Sequence, residues 1–433
     1  MIKRIKINWL DIALATVVII SLILSGIIWT NPFQYDHPRD TSNSGTQNNS
    51  TQSIGDLYLP TQVVKNGSGQ EQKILYSSRV NLVRQVQRQM KHWQLGRSVL
   101  VKNNNSDVYL SYLRQPNSLM LSYSDPVPAT IFNETFAQTI DTSRIKQVDH
   151  ILIPLHHPHN IYLLSDHGYR VYRVRIGRGS NDKYLKPFMD NSRTINQVAV
   201  EHKIINGKTL LLYPHSFSLP VFGYQVTAQN ADTLSQNLIS SNKRSTVNTN
   251  HNGHITTYRD GEDKRVFYDH WTGKIYYRNL LSKQDVPESS ALYSYFYRLI
   301  ARTGIPLNNL RYDGINNRQR IISYRSYVEV FPIYNHDGYG AIKVKAANSG
   351  KLQLWMTLYN IEVPVPINQQ TEKLPSTTTV FNELRQNNKL KDISDIRVGY
   401  LWHSDSTNKV ARLTPTYFVK SHGSWVNYHK LEK

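Results

Sequence analysis

The sequence contains no cysteine, and it has few acidic side chains for a chain of 433 residues. The first absence excludes disulfide bonds, thiolate zinc sites and cysteine nucleophiles together. The second leaves 51 lysines and arginines against 31 aspartates and glutamates, a formal net charge of +20 at pH 7. Such a chain must be held together by burial, for which its 39% hydrophobic residues supply the material.

The signature motifs of common hydrolases are also missing from the sequence. It has no G-x-S-x-G, no H-E-x-x-H, and no S-x-x-K followed by K-T-G. His156, His157 and His159 come closest to a metal site, but Pro158 stiffens their loop and adjacent histidines rarely bind one ion. We therefore expect a protein that is not an enzyme, with no cofactor and no metal. A hydrolase with a Ser/His/Asp triad hidden by long sequence separations remains a third, weaker alternative.

The positive charge is dispersed along the chain and is not gathered into basic blocks. Outside a cell, the anionic partners available to such a surface are lipid headgroups and wall polymers. No nucleic-acid partner is expected. A solvated surface that stays close to membrane lipid is the simpler interpretation, and a dedicated site for an anionic wall polymer is the alternative.

The long apolar run lies at the start of the chain, over residues 12–29. At about 18 residues it is just long enough to cross a bilayer as a helix. Lys3, Arg4 and Lys6 precede it and favour a cytoplasmic N-terminus. A cleaved signal peptide is less favoured, because no small-residue cleavage site follows the run. The sequence thus predicts a single-pass protein of the cell membrane whose bulk is extracytoplasmic.

The rest of the chain predicts an α+β fold of antiparallel sheets, each with a packed helix. Helical spacing favours a helix within residues 78–95, and residues 108–112 are predicted to be extended. Long strands are expected over residues 321–333 and 351–363. The expected divisions are a cytoplasmic N-terminus (1–11), a transmembrane helix (12–29), a disordered linker (30–55), an N-terminal extracytoplasmic domain (56–215), a middle α+β module (216–365) and a C-terminal α+β module (366–433).

Four aromatic residues cluster in a predicted helix over residues 288–303, at positions 293, 295, 296 and 297. Exposed rings could stack on the sugars of a wall polymer. An aromatic run on a helix more often packs against a sheet, however, and that interpretation is favoured here.

One face of the predicted transmembrane helix collects small and polar residues. At 100° per residue, an arc of roughly 140° contains this set: Asp11, Ala15, Ser21, Ser25 and Gly26. Small residues let helices approach closely in lipid, and Asp11 could pair with a basic residue of a partner. A helix-pairing face and an ordinary spanning helix are about equally well supported.

Several segments resemble one family of membrane-anchored proteins over essentially the whole length of the chain. The segments are SLILSGIIWTNP at residues 21–32, YRDG at 258–261, WTGKIYY at 271–277 and LTPTYFVK at 413–420, closed by Trp425. Together, in this order, they resemble the YycH family of Gram-positive bacteria. The last segment is similar to the module that this family shares with its companion, YycI.

The resemblance implies both an architecture and a function. It implies a three-part extracytoplasmic region, and binding together with YycI to the sensor histidine kinase WalK, also called YycG, of the WalK/WalR (YycG/YycF) two-component system. That system controls cell-wall metabolism, so the implied role is regulatory, with much of the kinase contact carried by the spanning helix. The resemblance implies no catalytic residues. It does not decide between inhibition and activation of the kinase.

Overall fold

The computed structural model describes Val18, Ser21 and most of residues 53–431. The exceptions in that range are residues 70, 157, 178–184, 190–193, 241–246, 283–286, 288–290, 308, 337, 339, 368–369 and 406–408. Most of the predicted transmembrane helix and residues 30–52 of the predicted linker therefore lie outside the described residues.

The described residues form eight α-helices, most of them short. They are α1 (Ile54–Leu57), α2 (Leu82–Lys91), α3 (Ser106–Leu113), α4 (Ala129–Phe136), α5 (Lys186–Met189), α6 (Ala231–Ile239), α7 (Ala291–Arg302) and α8 (Thr377–Gln386). Side chains at the N-caps satisfy free backbone amides of several helices. Asn81, Asn230 and Ser376 accept hydrogen bonds in this way at the starts of α2, α6 and α8.

Strands make up the larger part of the described chain. They are β1 (Gln62–Asn66), β2 (Gln72–Tyr76), β3 (Leu95–Lys102), β4 (Ser118–Pro128), β5 (Gln147–Pro154), β6 (Asn160–Ser165), β7 (Arg170–Ile176), β8 (Asn196–Ile205), β9 (Lys208–Leu212), β10 (Phe217–Pro220), β11 (Phe222–Ala228), β12 (Asn248–Asn252), β13 (Ile255–Asp260), β14 (Lys264–Asp269), β15 (Lys274–Leu280), β16 (Leu310–Asn316), β17 (Ile321–Val328), β18 (Phe331–Tyr334), β19 (Ala341–Ala346), β20 (Lys351–Thr357), β21 (Tyr359–Val365), β22 (Thr371–Leu374), β23 (Ile393–Asp405), β24 (Val410–Ser421) and β25 (Ser424–Asn427). The α+β class predicted from the sequence is confirmed.

The first nine strands form an antiparallel sheet in the order β3-β7-β6-β5-β4-β1-β2-β8-β9. One face of this sheet packs on α2 and α4 and shares a hydrophobic core with the middle of the chain. The other face packs on α3 and shares a second core with the C-terminal strands. The N-terminal sheet is therefore covered on both sides.

Fourteen later strands form a second sheet with two halves. One half runs β12-β13-β14-β15-β20-β19-β17, with β16 beside β17, and α6 packs against its β13 and β14. The other half contains β23, β24, β25, β11 and β21, and the core beneath it includes Val380 and Leu384 of α8. Strand β18 joins the halves, antiparallel to β17 and parallel to β23.

Residues 108–112 form part of helix α3, so the prediction of an extended segment is wrong. The side chain of Asn105 caps this helix and accepts a hydrogen bond from the Val108 amide at 2.8 Å. Tyr109 and Leu113, four residues apart, are both fully buried. Burial of this i, i+4 pair outweighs the strand preference of the local valine and tyrosines.

Two predicted long strands are each divided in the structure. The first ends at Val328, where Glu329 has a φ of 57° and turns the chain into β18. The second divides at Leu358, between β20 in one half of the sheet and β21 in the other. These breaks let the chain cross between the two halves of the second sheet.

Candidate functional site at the domain junctions

The residues of the predicted helix-pairing face are almost all outside the described part of the chain. Asp11, Ala15, Ser25 and Gly26 lie outside it, and Ser21 is helical and exposed. Within Val18, Ser21 and the described parts of residues 53–431, no helix is long and apolar enough to cross a lipid bilayer. The helix-pairing face stays a prediction.

The structure places the histidines considered for a metal site, and the aromatic helix, more clearly. His156 and His159 are exposed, and His157 is not described. The described residues contain no group of three or more side chains placed to hold a metal ion.

In α7, Tyr293 is 5% exposed and Phe296 is fully buried, so the predicted packing of this helix is confirmed for those two rings.

A tyrosine cluster joins the N-terminal sheet to the middle of the chain. The fully buried Tyr58 follows α1, and its hydroxyl donates to the carbonyl of Tyr293 at 2.9 Å. Its oxygen is also 2.7 Å from the hydroxyl of Tyr324. The rings of Tyr293, Tyr312 and Tyr324 lie 5.6 to 6.0 Å from that of Tyr58. The start of the ectodomain is therefore fixed to α7, β16 and β17.

A second contact comes from an irregular stretch of β4. Its pairing with β5 shifts register between Ser122 and Val127, which frees Asp125 to reach β16. There Asp125 Oδ2 accepts a hydrogen bond from the Ile315 amide at 2.9 Å. A side chain on Gly314 would place its Cβ 3.2 Å from Asp125 Oδ2. The close approach of the Asp125 side chain, together with the φ of 152° at this position, explains the glycine.

A buried ionic cluster holds together the two halves of the second sheet. Asp313 on β16 accepts hydrogen bonds from Arg325 of β17 at 2.9 Å and from Arg397 of β23 at 2.7 Å. The Arg397 guanidinium lies 3.8 Å from the centre of the Trp425 ring and also bonds the Tyr334 hydroxyl. Burial alone would raise the pKa of Asp313, but the two guanidiniums outweigh burial and lower it to about 2. The carboxylate is therefore charged at any physiological pH.

A small cavity of about 130 Å³ lies where the N-terminal sheet meets β23 and β25. Its lining includes Lys208 and Asp395, which form an ion pair across the junction. Arg397 and Trp425 of the ionic cluster also face it. The cavity thus brings together side chains from three separate stretches of the chain.

A second buried polar cluster lines the same cavity from the N-terminal side. His150 lies with one ring nitrogen 2.8 Å from Ser122 Oγ and the other 3.3 Å from Asp166 Oδ1. Asp166 Oδ1 also accepts hydrogen bonds from Tyr109 at 2.6 Å and Thr209 at 2.9 Å. Every one of these partners comes from a different element, so the cluster connects β4, β5, α3 and β9 to the turn after β6.

The charges of this second cluster depend on pH. Burial, together with the charge of Asp166, raises the pKa of Asp149 to about 7. Burial would lower the pKa of His150, but Asp166 and Asp149 reverse the effect and raise it. His202 has no such carboxylate in contact, and burial beside His150 lowers its pKa to about 3.

The hydrogen bonds from Ser122 through His150 to Asp166 follow the order of a hydrolase triad. The charges of the group, however, are those of an ion pair. A general base must be neutral to accept a serine proton. His150 instead lies between two carboxylates that favour its protonated form. Besides His150, Tyr109 and Thr209 stabilise the charge of Asp166. The arrangement connects elements of the N-terminal sheet.

Sequence reasoning missed both clusters. Asp313 and Arg397 are 84 positions apart, and Asp166 is 57 positions from Tyr109. A polar residue in an alternating strand has the pattern of a solvent-facing position, and only the partner strand reveals that it is buried. The one local signal is the polar pair Asp149 and His150 within an otherwise apolar strand.

Comparison with known proteins identifies the family. The N-terminal domain model of the YycH protein matches residues 8–192, and the C-terminal domain model matches residues 210–433. This α+β protein, with two large sheets and two buried polar clusters, belongs to the YycH family. Membership supports a role as a regulator of the WalK/YycG two-component system.

A solved structure has the same fold. The crystal structure of YycH from Bacillus subtilis superposes with a TM-score of 0.68 at 18% sequence identity, covering 88% of this chain and 98% of that chain. No curated protein matches the chain by sequence.

Proposed function

We propose that the protein is a non-enzymatic, membrane-anchored regulator that binds the sensor kinase WalK (YycG) together with a YycI-like partner and modulates its activity in cell-wall homeostasis. The observation that carries this proposal is the consecutive match of both YycH domain models to residues 8–192 and 210–433. The N-terminal match begins four residues before the apolar run, so the run belongs to the shared region of the family.

The spanning helix is the proposed contact with the kinase. Ser21 and Ser25 are four residues apart, a spacing that lets two helices approach closely in lipid. Gly26 lies beside them on the same predicted face, and Asp11 lies at its cytoplasmic end. Coupling of about 1 to 3 kcal/mol through such a contact changes a two-state equilibrium several-fold.

The ectodomain is proposed to bias this contact. Helix α1 begins within the last two residues of the predicted linker, and Tyr58 fixes it to the middle of the chain through Tyr293 and Tyr324. A movement of the second sheet therefore displaces the residues at which the ectodomain begins. A stimulus at the wall, or a change in pairing with YycI, would reach the spanning helix by this route.

Membrane co-purification tests the proposal. The full-length protein should recover the kinase and a YycI-like protein, whereas a chain with residues 12–29 replaced by an unrelated spanning helix should lose the kinase. A finer variant carries Ser21→Leu, Ser25→Leu and Gly26→Leu, and should recover at least several-fold less kinase.

The matched control places three leucines on the opposite side of the same predicted helix. At 100° per residue, Ala13, Thr16 and Ile20 fall about half a turn away from the small-residue face. The control with Ala13→Leu, Thr16→Leu and Ile20→Leu should recover kinase at the wild-type level. Equal recovery by both triple variants would contradict the helix-pairing face, and failure of the full-length chain to recover any kinase would contradict the proposed function.

A further inference from the structure

Among the residues that the structure describes, no helix covers one face of the half-sheet formed by β13, β14, β15, β20 and β19. In the strand order β13-β14-β15-β20-β19, alternate residues such as Val266, Tyr277 and Leu354 are buried in the core that contains α6 and α7. Their neighbours along each strand point to the opposite side, here called the outer face.

Three aromatic rings form a row across the outer face. Phe267 is paired in register with Tyr276, and Tyr276 with Trp355. The ring of Tyr276 stacks on both neighbours, with centroids 5.7 Å and 5.6 Å away and interplanar angles of 21° and 28°. All three rings are half-buried and line a groove of about 560 Å³ whose walls are mainly apolar.

A row of basic side chains runs beside the aromatic row, two residues away along each strand. Arg259 is paired in register with Arg265, and Arg265 with Arg278. The row continues through Gln353 to Lys345. Like charges directly opposite each other on neighbouring strands are destabilising. The row of positive charges therefore does not stabilise the sheet, and it remains on the surface of the folded protein.

The charges of this basic row are poorly balanced. Arg265 has an ion pair with Glu262 at 3.0 Å, but Glu262 is 93% exposed, and such a surface pair contributes little. The Nε atoms of Arg265 and Arg278 are buried and have no hydrogen-bond partner among the described residues. Asp269, on the same face, already accepts hydrogen bonds from Trp271 and Thr272. Arg259 is exposed and Arg265 and Arg278 are part-exposed, so an external anion can approach their guanidinium groups.

The shape of the basic row indicates a linear ligand. Neighbouring strands lie about 4.8 Å apart, so the five positions from β13 to β19 span roughly 19 Å in one line. Arginine binds phosphate groups through a planar set of donors and remains charged at all relevant pH values. The aromatic row lies about 7 Å to one side, where apolar carbon atoms of the same ligand would contact it.

We propose that the outer face binds a linear polyol-phosphate polymer, with phosphates along Arg259, Arg265 and Arg278 and polyol carbons over Phe267, Tyr276 and Trp355. Single-stranded nucleic acid fits less well, because bases need free ring faces and Tyr276 is already stacked on both sides. An acidic protein surface fits less well, because the positive charge borders the apolar groove along one side instead of surrounding it. This site is independent of the proposed contact with the kinase.

The test uses the full-length protein in uncharged detergent micelles, with poly(glycerol phosphate) as the probe. The variant with Arg265→Gln and Arg278→Gln should bind the probe on the order of tenfold more weakly, and its slope of log affinity against log salt should fall by about 1.5 to 2. The exposed Arg259→Gln variant should show a smaller loss in the same direction. Thermal unfolding confirms that each variant is folded.

The matched control removes two charges elsewhere, with Lys389→Gln and Lys391→Gln, both exposed residues after α8. It should keep wild-type affinity for poly(glycerol phosphate). Equal losses in the arginine and lysine variants would show only a general charge effect and overturn the proposal. Tighter binding of poly-L-glutamate or of oligothymidylate than of poly(glycerol phosphate) would overturn it as well.

Discussion

Two buried charged clusters join the parts of this molecule, and they differ in how their charges respond to pH. The cluster of Asp313, Arg325 and Arg397 contains groups that stay ionised, because the pKa of Asp313 is lowered to about 2. In the cluster of Asp149, His150 and Asp166, the pKa of Asp149 is raised to about 7 and that of His150 is raised above its usual value. The first cluster therefore keeps its charges at ordinary pH, whereas Asp149 of the second titrates within that range.

The comparison also separates the two junctions by location. The Asp313 cluster lies within the second sheet and joins its halves through β16, β17 and β23. The His150 cluster belongs to the N-terminal sheet and faces the cavity shared with β23 and β25. The two clusters therefore lie in different places, the first within the second sheet and the other within the N-terminal sheet.

The largest expected effect comes from Asp313→Asn. The substitution leaves two buried guanidiniums without their carboxylate, and breaking a buried ion pair costs about 3 to 5 kcal/mol. Thermal and denaturant unfolding should show this loss at every pH above about 4, because a lowered pKa stabilises the fold above the unfolded value. The control is Asp395→Asn at the more exposed Lys208 pair, which should cost less than about 1 kcal/mol. Equal costs for the two variants would contradict the account of the Asp313 cluster.

Glu329→Gln tests a buried carboxylate that has no counter-charge. Its Oε2 atom finds no hydrogen-bond partner among the described residues, and burial raises its pKa to about 8. With a raised folded-state pKa, wild-type stability falls as the pH rises from about 4.5 to about 8. The variant should be more stable than wild type by about 2 kcal/mol at pH 9 and nearly unchanged at pH 5. A uniform effect at both pH values would argue against the raised pKa.

Asp149→Asn tests the pH dependence of the second cluster. The raised pKa of Asp149 makes stability fall between about pH 4 and pH 7, and the raised pKa of His150 adds a loss in the same direction above about pH 6.5. The variant should flatten this decline by about 1 to 2 kcal/mol. Unfolding midpoints measured between about pH 5 and pH 8 provide the readout. Asp141→Asn, at an exposed position, should leave the slope of stability against pH unchanged. A flattened slope in this control would show that the effect of Asp149→Asn is not specific to the cluster.

The smallest effect is expected from Tyr324→Phe, at the uncharged contact between the first sheet and the second. It removes one hydroxyl of the buried pair with Tyr58, whose own hydroxyl still donates to Tyr293. The cost should be about 1 kcal/mol and independent of pH. A pH-dependent loss in this variant would mean that the tyrosine cluster is coupled to the titrating groups.

Much of the fold could be predicted from the sequence, because several strands alternate, among them β15, β19 and β20, and four helices carry an asparagine or serine cap. The helix over residues 108–112 could not, since its tyrosines and valine favour a strand and only the burial of Tyr109 against β7 and β8 decides otherwise. The divisions at Glu329 and Leu358 also depend on tertiary pairing.

The charged clusters could not be predicted from the sequence, for a different reason. Asp313, Arg325 and Arg397 occupy positions that alternate with apolar residues, which is also the pattern of a solvent-facing side chain. Only the approach of β23 to β16 and β17 brings their charges together. The basic row of the outer face could not be identified from the sequence either, because its arginines become neighbours through strand register alone.

The most direct test of the proposed function is the activity of the kinase in a membrane that contains this protein. Autophosphorylation of purified WalK in proteoliposomes should change several-fold when the full-length chain and YycI are added, in either direction. The same addition with residues 12–29 replaced by an unrelated spanning helix should leave the kinase rate unchanged. An unchanged rate with the full-length chain, or an equal change with the replaced helix, would contradict regulation through the spanning helix.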